Sequence, residues 1–125
     1  MSETKYDYKN LDAYKESKAL VKMVYGWLRQ FPKEEQYALC DQLRRAVISV
    51  PSNIAEGSGR FSTKEQIHFL EIAYGSLLEV DSQLDIAHDL EYISDEDLNA
   101  SEIQIRKVGA LIAGMRAKRI QPLTH

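Results

Sequence analysis

The chain is short of residues that staple, break or span. A single cysteine, Cys40, excludes an internal disulfide and a cysteine-built zinc site within one chain. Only three prolines, Pro32, Pro51 and Pro122, interrupt 125 residues, which leaves long stretches open to helix. The longest nearly apolar run, VGALIAGM at 108–115, is too short to cross a bilayer. The opening, MSETKYDYKN, lacks the apolar centre of a signal peptide. Both features predict a cytoplasmic protein with no membrane partner. No segment alternates as a strand, and no internal repeat or low-complexity tract is visible. The glycine-bearing EGSGR at 56–60 lacks the lysine and the preceding strand of a phosphate-binding loop. No Ser, Cys or Lys nucleophile is paired with a base. Positive charge is also in deficit: 16 Lys and Arg against 19 Asp and Glu give a net charge of −3.

What remains is an ordinary globular composition, 44% apolar and 28% charged, enough for the core of one domain spanning 1–125, with an ordered part over about 10–120. Helical spacing dominates. Leu11, Tyr14, Val21, Tyr25 and Leu28, flanked by Ala13, Leu20, Val24, Trp27 and Phe31, make a wide apolar face over about 11–30. Pro32 ends that helix, and the acids of FPKEE open a second near Glu34. Its stripe is Cys40, Leu43, Val47, Val50 and Ile54, and GSG at 57–59 ends it. STKE at 62–65 is a capping box, with Ser62 as N-cap and Glu65 reaching back. It starts a third helix over about 63–91, roughly 42 Å long, with Ile67, Leu70, Tyr74, Leu77 and Leu84 inward. Ser94 caps a fourth helix, whose Leu98, Ile105, Val108, Ile112 and Met115 continue the pattern to near 119 before Pro122 closes it. Short connections make neighbours antiparallel. The predicted fold is all-α, an up-down-up-down four-helix bundle.

Two features predict assembly of several copies. Helix 1 is apolar over more than one inward stripe. On helix 3, Ile72, Ile86 and Leu90 lie opposite the inward set. Small residues four apart, Gly109 with Ala113 and Ala110 with Gly114, let another backbone come close to helix 4.

Charge is segregated along the chain. Between 79 and 102 stand Glu79, Asp81, Asp85, Asp89, Glu91, Asp95, Glu96, Asp97 and Glu102, with no Lys or Arg; from 103 to 125 stand Arg106, Lys107, Arg116, Lys118 and Arg119, with no acid. Such blocks fit oppositely charged helices side by side or solvated faces, or a basic surface open to phosphates. With Arg44, Arg45, Arg60 and Lys64, the last five bases form the candidate nucleic-acid-binding set. Helix 4 has no interleaved aromatics, so base stacking from that face is not expected.

Metal and hydrolytic chemistry find little support. Glu65 with His68 is one Glu-x-x-His unit, but the comparable Asp85 with His88 lies roughly 30 Å further along the same helix, so one di-metal site cannot use both. Asp81, His88 and Tyr74 fit a buried polar network better than a catalytic one. Arg119 and His125 have a loose ribonuclease-like spacing, with Pro122 between them. The expectation is no catalytic residue, no metal and no cofactor.

The most unusual stretch is SVPSNIAEGSGR at 49–60. Pro51 has no N–H for the Val47 carbonyl and crowds that turn, while the apolar stripe continues to Ile54, which predicts a kink near 47–51 rather than a stop. Arg45, Ser49, Ser52 and Glu56 project opposite the stripe, with Asn53 flanking them. Glu56 meets the negative end of the helix dipole, so it needs a cation: Arg60, Arg45 or a residue of another subunit. Gly57 or Gly59 is expected to supply a left-handed exit.

SVPSNIAEGSGR, followed by STKEQIHFLEIAYGSLLEVDSQLDIAHDL and preceded by LDAYKESKALV and LRRAVISVPSNIAEG, resembles the bacterial family of 23S rRNA intervening-sequence (S23) proteins. That family is similar in fold to the accessory variability determinant of diversity-generating retroelements. The resemblance spans most of 10–120, and Ser49, Pro51, Asn53, Ile54, Ala55, Glu56, Gly57 and Arg60 carry its motif. It implies an antiparallel four-helix bundle and a homopentameric ring. It also implies binding of RNA or DNA, and of a reverse transcriptase or other nucleic-acid enzyme, through basic surface. It assigns no catalytic residue. The chain departs from the retroelement protein in being acidic overall. The sequence therefore predicts a non-enzymatic homo-oligomer that binds nucleic acid through repeated basic patches, with a scaffold ring that binds only proteins as the alternative. Ser49, Pro51, Asn53, Glu56 and Gly57 are expected to shape the subunit contact.

Overall fold

The computed structural model describes residues 7–120. Four helices follow in order, α1 (Asp12–Leu28), α2 (Leu39–Ser58), α3 (Thr63–Asp89) and α4 (Asp95–Arg119), with 3-10 turns at Asp7–Asn10 and Lys33–Glu35. No strand occurs among the described residues. Pro122 and His125 lie outside them. Each helix packs on its sequence neighbours, and α4 closes the ring against α1. Cross-helix partners show the antiparallel sense. Gln42 meets Gln83 and, further along α2, Ser49 meets the earlier Ser76. Arg116 and Arg119 of α4 likewise meet Glu71 and Gln66 of α3.

The core holds Leu20 and Val24 from α1, Leu43, Val47, Val50 and Ile54 from α2, Leu70, Leu77, Val80 and Leu84 from α3, and Ile105, Val108 and Ile112 from α4. Each contributes about 1.5–3 kcal/mol of burial, and this is what holds the bundle together. On α1 the buried centre is the Ala13–Leu20–Val24–Trp27 row, while Leu11, Tyr14 and Val21 pack along its margin. On α3, Tyr74 was expected inward but is 42% exposed, because Ala73 and Leu77 take the buried positions beside it.

Helix starts follow their caps. The side chains of Ser62 and Ser94 accept hydrogen bonds from the backbone N–H of Glu65 and Asp97, each at 3.0 Å, as the sequence predicts. The second helix was expected from Glu34 but begins at Leu39. Lys33–Glu35 close only a 3-10 turn, and Ala38 (φ −124°, ψ −97°) breaks the path. Glu35 instead serves as an anchor: it accepts the Tyr92 hydroxyl at 2.9 Å and faces the Leu39 N–H at 3.5 Å. That hydrogen bond holds the Tyr92 hydroxyl above its ordinary pKa.

α2 runs through Pro51 to Ser58 without a stop. The left-handed glycine exit expected at Gly57 or Gly59 is not used. Gly59 is right-handed (φ −93°), and the helix closes by tightening, with Gly59 N–H to Glu56 O at 3.2 Å and Arg60 N–H to Gly57 O at 3.1 Å. Among the described residues the left-handed one is Glu91 (φ 65°), which ends α3. There the N–H groups of Glu91 and Tyr92 reach the carbonyls of His88 and Ala87, each at 2.9 Å. This double closure usually places glycine where Glu91 stands.

Candidate nucleic-acid interface

The segment 49–60 binds α2 to α3. Val50, Pro51 and Ile54 are buried in the core. Ser49 does not face away from the bundle as expected: its hydroxyl lies 2.8 Å from that of Ser76 on α3. Asn53 donates to the Ser49 carbonyl at 2.8 Å and to its hydroxyl at 2.9 Å. The helical projection of this line fails at Ser49 because these hydroxyls satisfy one another at the helix contact. Arg45, Ser52 and Glu56 do lie exposed on the outer face.

Gly57 is needed for proximity rather than for a turn. A Cβ there would stand 3.0 Å from the Phe69 Cβ and 3.4 Å from the Gln66 carbonyl oxygen. Glu56 finds its cation within the chain: Arg60 pairs with it. The same guanidinium lies 3.8 Å from Glu65 and 4.7 Å from the Phe69 ring centroid. Gln66 donates to the Arg60 carbonyl at 2.8 Å and accepts from Arg119 Nε at 3.0 Å, which ties the α2–α3 loop to the end of α4.

The fold divides the nine candidate cations. Arg60, Lys64, Arg116, Lys118 and Arg119 gather at the end where α2 leaves, α3 begins and α4 finishes. Arg116 makes two contacts of 2.7 Å with Glu71, and Arg119 also donates to the Met115 carbonyl at 2.9 Å. Lys64 and Lys118 are exposed, with no ion-pair partner among the described residues. Arg44 stands near the opposite end, held by Asp41 at 2.6 Å and by Gln36. Arg45 lies on the outer face of α2. Arg106 and Lys107 lie midway along α4, Lys107 being 3.7 Å from Glu16.

Two features escaped the sequence reading. Lys15, Lys18 and Lys22 stand in an exposed row on α1, beside a groove of about 650 Å³ that includes Val21, Ile48 and Pro51. Their spacing of three and four was the available signal, but it was masked by the apolar pattern of the same helix. Phe61 is fully exposed beside Arg60; its isolation between polar residues was the only clue.

Chemical centres are sparse. His88 is 2.6 Å from Asp95 and does not join Asp81 and Tyr74 in a buried network. The Asp95 hydrogen bond raises the His88 pKa above its ordinary value. The buried polar contact on α3 is made instead by Gln83, which donates to Gln42 at 3.2 Å. Cys40 is fully buried, and desolvation raises its pKa. Among the described residues no three His, Cys, Asp or Glu side chains are placed to hold a metal ion. No helix among them is long and apolar enough to cross a membrane.

Four antiparallel helices closed around a shared core define a four-helix-bundle protein. Its sequence matches the 23S rRNA-intervening sequence protein family over residues 9–114, and the chain belongs to that family. It is similar in structure to a protein of unknown function from the S23 ribosomal protein family of Bacteroides thetaiotaomicron VPI-5482. The TM-score is 0.76 at 20% identity, over 84% of this chain and 98% of that one. No curated protein matches the sequence.

Proposed function

We propose that this protein is a non-enzymatic homo-oligomer, a ring of five copies, that binds RNA or DNA through its basic end. The observation that carries the reading is the convergence of Arg60, Lys64, Arg116, Lys118 and Arg119, from two sequence-distant segments, at one end of the bundle. The Gln66 and Glu71 contacts to α4 bring them there. Repetition around a ring multiplies a modest patch into a phosphate-binding surface despite the net charge of −3. The family, described by an intervening sequence of 23S rRNA, favours RNA as the first ligand to try. A reverse transcriptase or other nucleic-acid enzyme is the proposed protein partner.

A second reading, a ring that binds only proteins, draws on Ile72, Leu78, Ile86 and Leu90, which are exposed along α3. Titration of labelled single-stranded RNA with nuclease-treated protein at several salt concentrations separates the two. Saturable binding whose affinity falls linearly in log–log form with salt supports the first reading, and the slope counts the phosphates met. Absence of binding at low salt refutes it and leaves the protein scaffold.

A further inference from the structure

The basic end carries an exposed aromatic side chain that the core does not account for. Phe61 is fully exposed, at the bend between α2 and α3. Its surroundings are held in place. Ser62 caps α3 through Glu65, and Gln66 holds the Arg60 carbonyl. Arg60 itself lies over Phe69. The ring is thus presented from a fixed loop, one residue after Arg60 and three before the exposed Lys64. Arg119 reaches the same loop through Gln66.

The neighbours of Phe61 discriminate between partners. A protein contact collects apolar side chains, as α3 does with Leu78, Ile86 and Leu90. Around Phe61 the sequence reads Arg60, Ser62, Thr63, Lys64, Glu65, all polar. An exposed aromatic face three residues before an exposed lysine with no ion-pair partner among the described residues matches an unpaired base with its flanking phosphate: the base stacks on the ring and Lys64 meets the backbone. A duplex keeps its base faces inside the stack and cannot use such a ring.

We infer that the α2–α3 loop is a stacking platform for single-stranded nucleic acid, with Phe61 beneath a base and Lys64 on an adjacent phosphate. This rests on the nucleic-acid reading above and narrows it to unpaired strands. The test is anisotropy titration of labelled oligouridylate, oligothymidylate and a mixed-sequence duplex against wild type, Phe61→Ala, Phe61→Tyr and Lys64→Ala. Removing the ring should weaken single-strand binding about tenfold, leave duplex binding unchanged, and be restored by Phe61→Tyr. Lys64→Ala should weaken binding to strands and duplex alike. In Phe61→Trp the new indole fluorescence should be quenched by oligouridylate but not by the duplex; an equal response to oligothymidylate identifies stacking on any unpaired strand, and none identifies RNA. Unchanged single-strand affinity in Phe61→Ala, with Lys64→Ala still weakened, overturns the platform and leaves the basic end intact as a binder. A changed oligomer mass in Phe61→Ala, measured by light scattering, overturns it as well by making the ring a subunit contact. Absence of binding by wild type to any probe at low salt removes the parent reading and the platform with it.

Discussion

The two ends of the bundle treat charge differently. At the end where α3 turns into α4, acids abound: Glu34, Glu35, Asp85, Asp89, Glu91, Asp95, Glu96 and Asp97. Many have a local structural reason. Asp95, Glu96 and Asp97 fill the first turn of α4, where the helix dipole favours them, and Glu35 holds Tyr92. At the other end Arg116, Lys118 and Arg119 fill the last turn of α4, again where the dipole favours them. Much of the charge segregation along the sequence is therefore helix chemistry. Lys64 is a cation in the first turn of α3, where the dipole repels it, and unlike Glu56 near the end of α2, which Arg60 neutralises, it has no ion-pair partner among the described residues. A charge placed against local stability is a better pointer to function than several placed with it.

The largest expected effect tests how the basic end is held together. Gly57→Leu places a side chain where even a Cβ meets Phe69 at 3.0 Å, so α2 and α3 must separate. Destabilisation of about 1–3 kcal/mol is expected, read as a lowered midpoint in urea, together with loss of RNA binding because Arg60 and Lys64 move. Unchanged stability would mean that the glycine is dispensable to this contact. At the acidic end the strain is in the backbone. Glu91→Gly relieves the left-handed position at φ 65° and should stabilise by about 1 kcal/mol, with no change in binding. A gain in stability accompanied by lost RNA affinity would show that the two ends are coupled.

The fold was legible from periodicity and caps. The stripes of α2 and α4, the Ser62 and Ser94 caps and the turn at Pro32 all pointed to the same bundle, and Pro51 was readable as an interruption the helix survives because Ile54 continues the stripe. The lapses have local causes. Gly57 reads as a turn residue because sequence shows a glycine's freedom but not the Phe69 Cβ above it. The Glu91 reversal was hidden because that position normally holds glycine. Ser49 was placed outward because a projection cannot see Ser76 on the next helix. In the basic set, residue type was visible but grouping was not. Arg44 and Arg60 have the same chemistry in sequence, yet the fold puts them near opposite ends, and Phe61 acquires meaning only once Arg119 is brought to its loop.

Lys64→Glu sharpens the comparison by setting stability against binding. Replacing the cation with an acid in the first turn of α3 should raise stability by about 0.3–1 kcal/mol at low ionic strength, and the gain should shrink as salt screens it. The same change should weaken RNA binding and flatten its salt dependence, since a phosphate contact becomes a repulsion. Opposite signs in thermal melts and RNA titrations would mark Lys64 as a residue held for its ligand. If both decline together, Lys64 is a structural residue and the functional weight shifts to Lys118 and the α1 lysine row.

The smallest effect lies at the acidic end and depends on pH. His88 stands 2.6 Å from Asp95, bridging the end of α3 to the start of α4, with Asp85 and Asp89 nearby. The Asp95 hydrogen bond is the main cause of its raised pKa; partial burial opposes it, and the charges of Asp95, Asp89 and Asp85 add to it. A histidine whose folded pKa lies above its unfolded value of about 6.5 stabilises the protein fully when it is protonated in both states. That contribution is lost as the pH rises through the raised folded value. The melting temperature of His88→Gln should therefore fall below wild type by the most at mildly acidic pH, and the two proteins should converge in alkali. His88 lies at the opposite end from Arg60 and Lys64, so RNA affinity compared between wild type and His88→Gln should show no matching trend. A constant difference in melting temperature across the range would show that the His88–Asp95 contact holds the turn by shape rather than by charge.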